Sequence, residues 1–409
     1  MNDVWDLAIV GGGASGMTAA IAAARCGDRV LLLEKSNALG RKVAASGNGR
    51  CNLMNSGPLQ YYGEEVFARQ VFEKCSRNRV EEFCSSLGIR CCEENEGRMY
   101  PCSYQAVSVL DAMKNALRQC HVHVRLQAAV TECTFGNSFF QISCSGEKYG
   151  ARRLLIAAGG AASPKLGGTE SGYNLLQSFG HRILPIRPSL CPILTDKKSI
   201  SGLAGIRVRC NVHLMDEKGD REHSTSGEVL FTETGISGIC AMQMARHLTG
   251  GVEKIELDFA SRVFTDEHEL RRDLQRRRHI FRSMPAENLM TGMLVPKLGF
   301  AVMKQAGIPL KGEPADCITD KQIELIIRRM YHYTLQVQGT KGFDEAQVTA
   351  GGALCSEFEP ATMESLILSG LHASGEVLNV DGECGGYNLM FALASGILAG
   401  ENGRKDTGI

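Results

Sequence analysis

The 409-residue sequence contains no apolar run approaching the ~20 residues that a membrane-spanning helix needs. No membrane partner is therefore expected. It also lacks net charge, with 45 Lys and Arg against 45 Asp and Glu, so no global field favours nucleic acid or acidic lipid. Its 16 cysteines are scattered from Cys26 to Cys384, and no two have C-x-x-C spacing. That argues against a redox motif of that kind, a zinc ribbon or a ferredoxin-type cluster, and no metal site is expected. The chain enters its first apolar run almost at once, leaving no room for a signal peptide, so a cytoplasmic location is expected. In that setting a disulfide framework is not expected, and most cysteines read as small buried hydrophobes. The adjacent Cys91 and Cys92 stand out only as an oxidation site. Internal repeats and low-complexity tracts are absent. So is a second G-x-G-x-x-G followed by an acid, which leaves no dedicated nicotinamide-binding domain.

What is present is concentrated at the start. Leu7 to Val10 is a short apolar run of the length of a buried parallel strand. Gly11, Gly13 and Gly16 follow as G-x-G-x-x-G, with Ala14 and Ser15 between them, and Met17 to Arg25 is Ala-rich like a helix packed closely on a sheet. A second apolar run, Val30 to Leu33, ends on Glu34 and Lys35. Gly11 allows the tight turn, Gly13 lets backbone approach a pyrophosphate, and Gly16 lets helix and strand touch. The helix N-terminus offers free N–H groups to phosphate, and Glu34 can accept from ribose hydroxyls.

Residues 39–55 (LGRKVAASGNGRCNLMN) form a Gly-rich polar loop in which Arg41, Lys42 and Arg50 supply positive charge. Ser46, Asn48 and Asn52 supply neutral donors and acceptors, and Gly47 and Gly49 let the chain lie against a flat ligand. Residues 61–120 read as helical, interrupted by EGRMYP at 96–101. Val122 to Thr131, Phe139 to Ser143 and Arg152 to Ala158 read as strands, the last closed by Gly159 and Gly160. Pro185, Pro188 and Pro192 mark a domain crossing. Residues 193–260 carry short alternating runs, as a small barrel would, and 265–310 read as helical. The basic stretch RRDLQRRRH at 271–279 lies beside Asp266, Glu267 and Glu269 and has no row of stacking aromatics. A solvated helix face is favoured there, and no nucleic-acid partner is expected. Near the end an apolar strand closes near Ala373, then Gly375, Gly385 and Gly386 precede an apolar helix from about Asn388 to Ala399.

Six segments in this order resemble one family: GGGASG at 11–16, GRKVAASGNGRCN at 40–52, EGRMYP at 96–101, AAGGAASPKLGGTESGYNLLQSFGH at 157–181, LFTETGISG at 230–238, and SGEVLNVDGECGGYNLMFALASGILAG at 374–400. It is the bacterial FAD-binding group that includes aminoacetone oxidase-like flavoproteins and a 3-dehydro-bile acid Δ4,6-reductase. The resemblance implies an α/β fold: a Rossmann-like FAD-binding domain of the glutathione-reductase-like, two-dinucleotide-binding-domain type, with an inserted β-barrel and helical domain. The expected boundaries are 1–187 with 346–409 for the FAD domain and 188–345 for the insertion. Within the insertion the barrel is expected at 188–262 and 320–345 and the helices at 263–319.

The resemblance further implies FAD contacts from Gly11, Gly13, Ala14, Ser15, Gly16, Glu34, Lys35, Arg41, Lys42, Ser46, Gly47, Gly49, Arg50, Cys51 and Asn52. Val130 should lie near the adenine, with Ala158, Gly159 and Gly160 passing under the cofactor. Gly375 and Glu376 belong near the ribityl or pyrophosphate groups. The N–H groups of Gly386, Tyr387 and Asn388, after Gly385, would face the flavin, where a helix N-terminus stabilises charge on the reduced ring. The substrate is expected over the flavin at the seam of the domains.

The implied activity is reduction of a conjugated C=C bond in a steroid-like enone, with NAD(P)H the candidate transient electron donor. Tyr100 or Tyr387 would supply the proton and Arg98 a substrate contact, although EGRMYP also reads as a turn with a packed Tyr. The alternatives are an amine oxidase of the aminoacetone type and an RNA-modifying flavoprotein. A cysteine-rich chain tolerates oxidants poorly, which favours the reductase. LFTETGISG carries Glu233 where the family often has His.

Overall fold

A computed structural model describes residues 4–248, 252–308 and 312–401. Parts of the expected domains, at 1–3, 249–251, 309–311 and 402–409, lie outside the described residues. The backbone divides into two units, residues 1–187 with 347–409, and residues 188–346.

A strand with no polar face is stable only when both its faces are covered. Leu7, Ala8, Ile9 and Val10 close strand β1 (Val4–Val10) and all are buried. Helix α1 (Ala14–Arg25) packs against it with every residue from Ser15 to Ala23 buried, and β2 (Val30–Leu33) is buried throughout. The sheet of the first unit has seven strands. Its order is His123–Arg125, β2, β1, Glu147–Ile156, Phe139–Cys144 and Val130–Gly136, with Leu371–Ala373 beside the end of Glu147–Ile156. The strands from His123–Arg125 to Glu147–Ile156, and Leu371–Ala373, run parallel; the other two form an antiparallel edge. Register sets where the strands stop. Val10 lies opposite both Leu33 and Ile156, and Ile156 lies opposite Ala373, so four parallel strands end level with one another.

The helical reading of 61–120 is corrected in two places, 61–63 and 91–93. Helices Glu65–Lys74, Arg77–Ser86 and Ala106–Gln119 are there, but Tyr61–Gly63 is a strand paired with Val380–Gly382. EGRMYP belongs to a hairpin, with Cys91–Glu93 antiparallel to Arg98–Pro101 and Met54–Asn55 on its other side. Short strands that gain their partners only in three dimensions leave no period to read. Likewise Val122 to Thr131 is not one strand: His123–Arg125 joins β2, and a separate strand starts at Val130.

In the second unit six strands close a barrel: Ile193–Thr195, Gly235–Ser237, Arg221–Phe231, Arg207–Asp216, Val252–Asp258 and Tyr333–Thr340, the last pairing with the first. Helices Glu267–Ile280 and Pro296–Gln305 accompany it. The expectation of barrel from 320 onward is corrected for 320–331, where Asp320–Tyr331 is a helix. Its start is a reciprocal cap between Thr319 and Gln322, and its inner face is Ile323, Ile326, Ile327 and Met330. The basic stretch lies on Glu267–Ile280 and is largely paired. Arg271 makes a two-pronged bond to Glu324, Arg277 bonds Asp273 at 2.6 Å, and Arg278 reaches Asp320 at 2.8 Å. Among the described residues no helix is long and apolar enough to cross a membrane.

The C-terminal helix Tyr387–Glu401 crosses α1 at backbone contact. A Cβ added at Gly396 would sit 2.6 Å from the Ser15 carbonyl oxygen, and one at Gly400 would sit 2.5 Å from that of Ala19. Gly396→Ala therefore sets two effects against each other. Helix propensity gains about 1 kcal/mol, while overpacking against unyielding backbone costs roughly 1–3 kcal/mol. The clash wins, and the thermal midpoint of the variant should fall below that of the parent chain in a scan of both.

Candidate functional site

Because four strands end level, the residues that come after them meet at one edge of the sheet, where open α/β sheets bind ligands. These are Gly11 after β1, Glu34 after β2, Ala157 to Gly160 after Glu147–Ile156, and Ser374 to Glu376 after Leu371–Ala373. Backbone bonds lock the level: Gly11 N–H to the Leu33 carbonyl at 2.8 Å, Ala157 N–H to Val10 at 2.8 Å and Ser374 N–H to Ile156 at 3.1 Å. The turn itself is tight. A Cβ at Gly16 would lie 1.9 Å from the Gly11 carbonyl oxygen, whereas one at Gly13 would meet nothing within 4 Å. The start of α1 therefore presses on the sheet at Gly16 and is open at Gly13. Gly13 caps the helix without a side-chain bond, and its first turn, beginning Ala14 and Ser15, has no acid. The Ser15 hydroxyl donates to the Ser374 carbonyl at 3.4 Å.

The Glu34 carboxylate accepts the N–H of Gly12 at 2.7 Å on one oxygen and that of Ser36 at 2.7 Å on the other. Its charge thus fixes both the glycine turn and the segment after β2, which includes exposed Lys35. Val130 stands two residues beyond Ala128, whose N–H donates to the Glu34 carbonyl at 2.9 Å. Opposite, Glu376 is held by the Lys42 ammonium at 2.6 Å and by the Thr349 N–H at 2.9 Å, and the Thr349 hydroxyl accepts the Ala162 N–H at 2.9 Å. The chain is packed closely there: a Cβ at Gly160 would lie 2.4 Å from the Thr349 hydroxyl. Arg41 donates to the Lys165 carbonyl at 2.7 Å. Beside Ala158, a Cβ at Gly159 would again find open space.

A second group of residues gathers around the hairpin. Arg50 is engaged by protein partners. Its guanidinium lies 4.4 Å from the Tyr100 ring centroid and 4.8 Å from that of Tyr104, and it pairs with Glu94 at 2.7 Å. The loop around it turns through left-handed backbone at Gly47, Asn48, Gly49 and Cys51, with the Ser46 hydroxyl donating to Val43. Arg98 and Tyr100, two apart on one strand, share a face with their cross-strand partners Asn55 and Cys92. Arg98 pairs with Glu96. Asn55 is buried, and its amide donates to the carbonyls of Gly385 at 2.9 Å and Glu96 at 3.1 Å while its oxygen accepts the Gly57 N–H at 2.7 Å. Gly386 rests on the Met54 carbonyl, where a Cβ would lie 2.2 Å away. The Asn388 side chain closes its own loop, bonding both the N–H and the carbonyl of Gly382 at 2.8 Å. Tyr387 is buried edge-on to Tyr61, whose hydroxyl donates to the Tyr387 carbonyl at 2.9 Å. Burial raises the Tyr387 hydroxyl above its ordinary value, with Glu383 adding and Arg77 opposing. One expectation is overturned: Cys92 is joined to Cys102 in a disulfide. Asn55, Thr349, Tyr104 and this disulfide carry no short-range sequence signal.

These features fit FAD. The open side of Gly13 at an uncapped, acid-free helix start suits a pyrophosphate. Glu34 retains unused lone pairs beyond its two N–H partners for ribose hydroxyls. The buried side-chain amide oxygen of Asn52 has no hydrogen-bond partner among the described residues; a Cβ at Gly386, just before Tyr387–Glu401, would lie 2.8 Å from it, and the first turn of that helix has no acid. Cys51 is buried and its thiol is pushed up to about 11, chiefly by desolvation. It stays protonated and unreactive at neutral pH.

The fold and site define a Rossmann-type FAD-binding protein of the FAD-dependent oxidoreductase class. The sequence pattern described as the HI0933-like protein Rossmann domain matches residues 5–402, and the chain belongs to that family. It is 36% identical over 404 residues to the 3-dehydro-bile acid delta(4,6)-reductase of Clostridium scindens, covering 96% of this chain and 98% of that protein. It is 28% identical over 397 residues to the ribosomal RNA dihydrouridine synthase of Escherichia coli strain K12, covering 96% of each. Among solved structures, the 3-ketosteroid-delta4-(5alpha)-dehydrogenase of Rhodococcus jostii RHA1 with 4-androstene-3,17-dione is similar over 99% of this chain and 98% of its own, at 14% identity and a TM-score of 0.49.

Two outcomes are expected for the cofactor. Acid precipitation should leave a colourless pellet and release intact FAD; flavin retained in the pellet would show a covalent link. Glu34→Ala should weaken FAD binding about 10- to 150-fold, the equivalent of the ~1.5–3 kcal/mol of a charged hydrogen bond. Glu34→Gln, which keeps one acceptor, should lie between. Titration of each apoprotein with FAD measures this, and an unchanged dissociation constant removes Glu34 from the ribose.

Proposed function

We propose that the protein reduces a carbon–carbon double bond conjugated to a carbonyl in a steroid-like substrate, with NAD(P)H as the electron source. The observation that carries the reading is the 36% identity, across nearly the full length of both chains, to a bile-acid Δ4,6-reductase. The second relative supports the same bond chemistry. Dihydrouridine is uridine with its C5–C6 double bond saturated, and that bond is conjugated to the C4 carbonyl. The activities named for the two relatives thus share one reaction, addition of hydrogen across an activated C=C, on unlike molecules.

Bound FAD supplies the hydride in such a reaction. The chain must then do three things. It must hold the flat substrate, stabilise negative charge as it builds on the carbonyl oxygen when hydride reaches the β-carbon, and deliver a proton to the α-carbon. Arg98 is a fixed cation suited to the charge. Tyr100 shares its strand face and is immobilised under Arg50, which suits a group that must donate at a set position. Tyr387, whose hydroxyl is raised by burial, is the other donor. NAD(P)H has no domain of its own here, so it and the substrate would use the site in turn.

The experiment is anaerobic stopped-flow absorbance at the flavin band. NADH or NADPH should reduce the flavin alone, and a 3-oxo-Δ4 or Δ4,6 steroid should reoxidise it without oxygen. Tyr100→Phe or Tyr387→Phe should slow that second half by ~10²–10⁴ and spare the first. Reoxidation by uridine-containing ribosomal RNA with steroids inert would move the assignment to RNA modification, the reading favoured by the 28% relative. Reduction by amines with rapid reoxidation by oxygen alone would make the protein an amine oxidase.

A further inference from the structure

We infer that the Cys92–Cys102 disulfide is a thiol–disulfide exchange site, taking a low-molecular-weight thiol such as glutathione, and that its redox state governs the hold on the Arg50 loop. The two cysteines join the ends of the hairpin Cys91–Glu93 and Arg98–Pro101, with Cα atoms 5.4 Å apart. The other fourteen cysteines are not joined in disulfides, and most of them are buried. Cys102 is exposed while Cys92 is half-buried, so an external thiolate reaches the Cys102 sulfur first.

The exchange balances simply. A thiolate RS⁻ attacks Cys102, the S–S bond breaks, and Cys92 departs as a thiolate that takes up a proton. A second RS⁻ attacks the mixed disulfide, releasing RSSR and leaving Cys102 as a thiol once protonated. RSSR drives the reverse.

Position gives the exchange its consequence. Tyr100 lies directly opposite Cys92 in the ladder, and Tyr104 follows Cys102 by two residues, its N–H bonded to the Pro101 carbonyl. Those two rings hold the Arg50 guanidinium, and Arg50 belongs to the loop 46–52. With the disulfide closed, the segment carrying Tyr104 is tied to the hairpin. Once it is open, the segment is retained by the Cys102 N–H to Arg90 and Tyr104 N–H to Pro101 backbone bonds, by the contact of the Ser103 and Ser108 hydroxyls and by the Tyr104 ring 6.0 Å from that of Tyr100; Cys102 to Gln105 are all exposed, and local opening there costs little. Reduction should therefore let Tyr104 leave Arg50. This holds whichever substrate the enzyme takes.

Trypsin reports both parts. Cleavage after Arg90, Arg98 and Lys114 puts Cys92 in residues 91–98 and Cys102 in residues 99–114. In whole protein alkylated without reductant these two peptides should run as one cross-linked species. It should persist in Cys91→Ser, vanish in Cys92→Ser, and be lost progressively across buffers of rising reduced-to-oxidised glutathione. Cleavage after Arg50 in the folded protein should accelerate on the order of fivefold on reduction, the size of a cation–π contact near 1 kcal/mol. The Cys92→Ser/Cys102→Ser variant should be cut at the fast rate with or without glutathione. Native protein alkylated at both Cys92 and Cys102, or a cleavage rate after Arg50 that is equal in both redox states, overturns the inference.

Discussion

The site depends on one constraint of register, the level ending of β1, β2, Glu147–Ile156 and Leu371–Ala373. A strand advances about 3.3 Å per residue and turns its side chains over at each step. A slip of one residue in β2 would carry the Glu34 carboxylate away from the Gly12 N–H and turn it to the other face of the sheet. The buried Val30 to Leu33, with no polar face to offer, sets the penalty for that slip. Helix α1 adds a second condition, because only at Gly16 can it approach the Gly11 carbonyl. Register and close approach together put an uncapped helix start, an acid and two glycine-bearing turns within reach of one ligand.

Two carboxylates beside a candidate pyrophosphate site call for compensation. Unit charges 4 Å apart interact with about 4 kcal/mol at an effective dielectric of 20, enough to oppose an anionic cofactor outright. Glu34 is compensated by two backbone N–H groups and Glu376 by Lys42 and the Thr349 N–H. The Lys42–Glu376 pair is only partly shielded, at 30% and 21% side-chain exposure, so it adds little to stability. Its effect is local: it cancels charge, and it ties the loop after β2 to the segment after Leu371–Ala373.

How far the sequence could be read depends on the range of the physics. The glycine turn, its helix and Glu34 are a local pattern with a complete local explanation, and the barrel strands announced themselves by alternation. The helix at 320–331, where barrel was expected, did carry a local signal, since Thr319 and Gln322 cap it and Ile323, Ile326, Ile327 and Met330 mark its face. The hairpin at 91–101 was not legible, because its strands are three or four residues long and the second of them also pairs with Met54–Asn55, more than forty residues earlier. Asn55 escaped for the same reason. Its partners at Glu96 and Gly385 lie 41 and 330 residues away, and nothing near it in sequence distinguishes it from a loop asparagine. Arg50 was legible as a cation of the loop, but not as one committed to two tyrosines.

Sharing a reaction between a steroid and a base of ribosomal RNA places the discrimination outside the reacting bond. An RNA-binding surface gains its affinity from cations free to displace counterions at phosphates. On the helix Glu267–Ile280 the cations divide. Arg277 and Asp273 are both largely covered, at 17% and 18% exposure, and a phosphate would have to replace a partner already desolvated. Arg271 is also committed, through both its bonds to Glu324. Arg276 is 73% exposed and only loosely held by Asp273 at 3.2 Å, so it could be recruited at little cost. Arg272 is exposed as well and makes no ion pair among the described residues, so two of the five arginines are readily available, a poorer basis for gripping a polyanion than the cluster in the sequence suggests. A small neutral or singly charged ring system has no need of one, and the enone reading requires only the face that Arg98 and Tyr100 share.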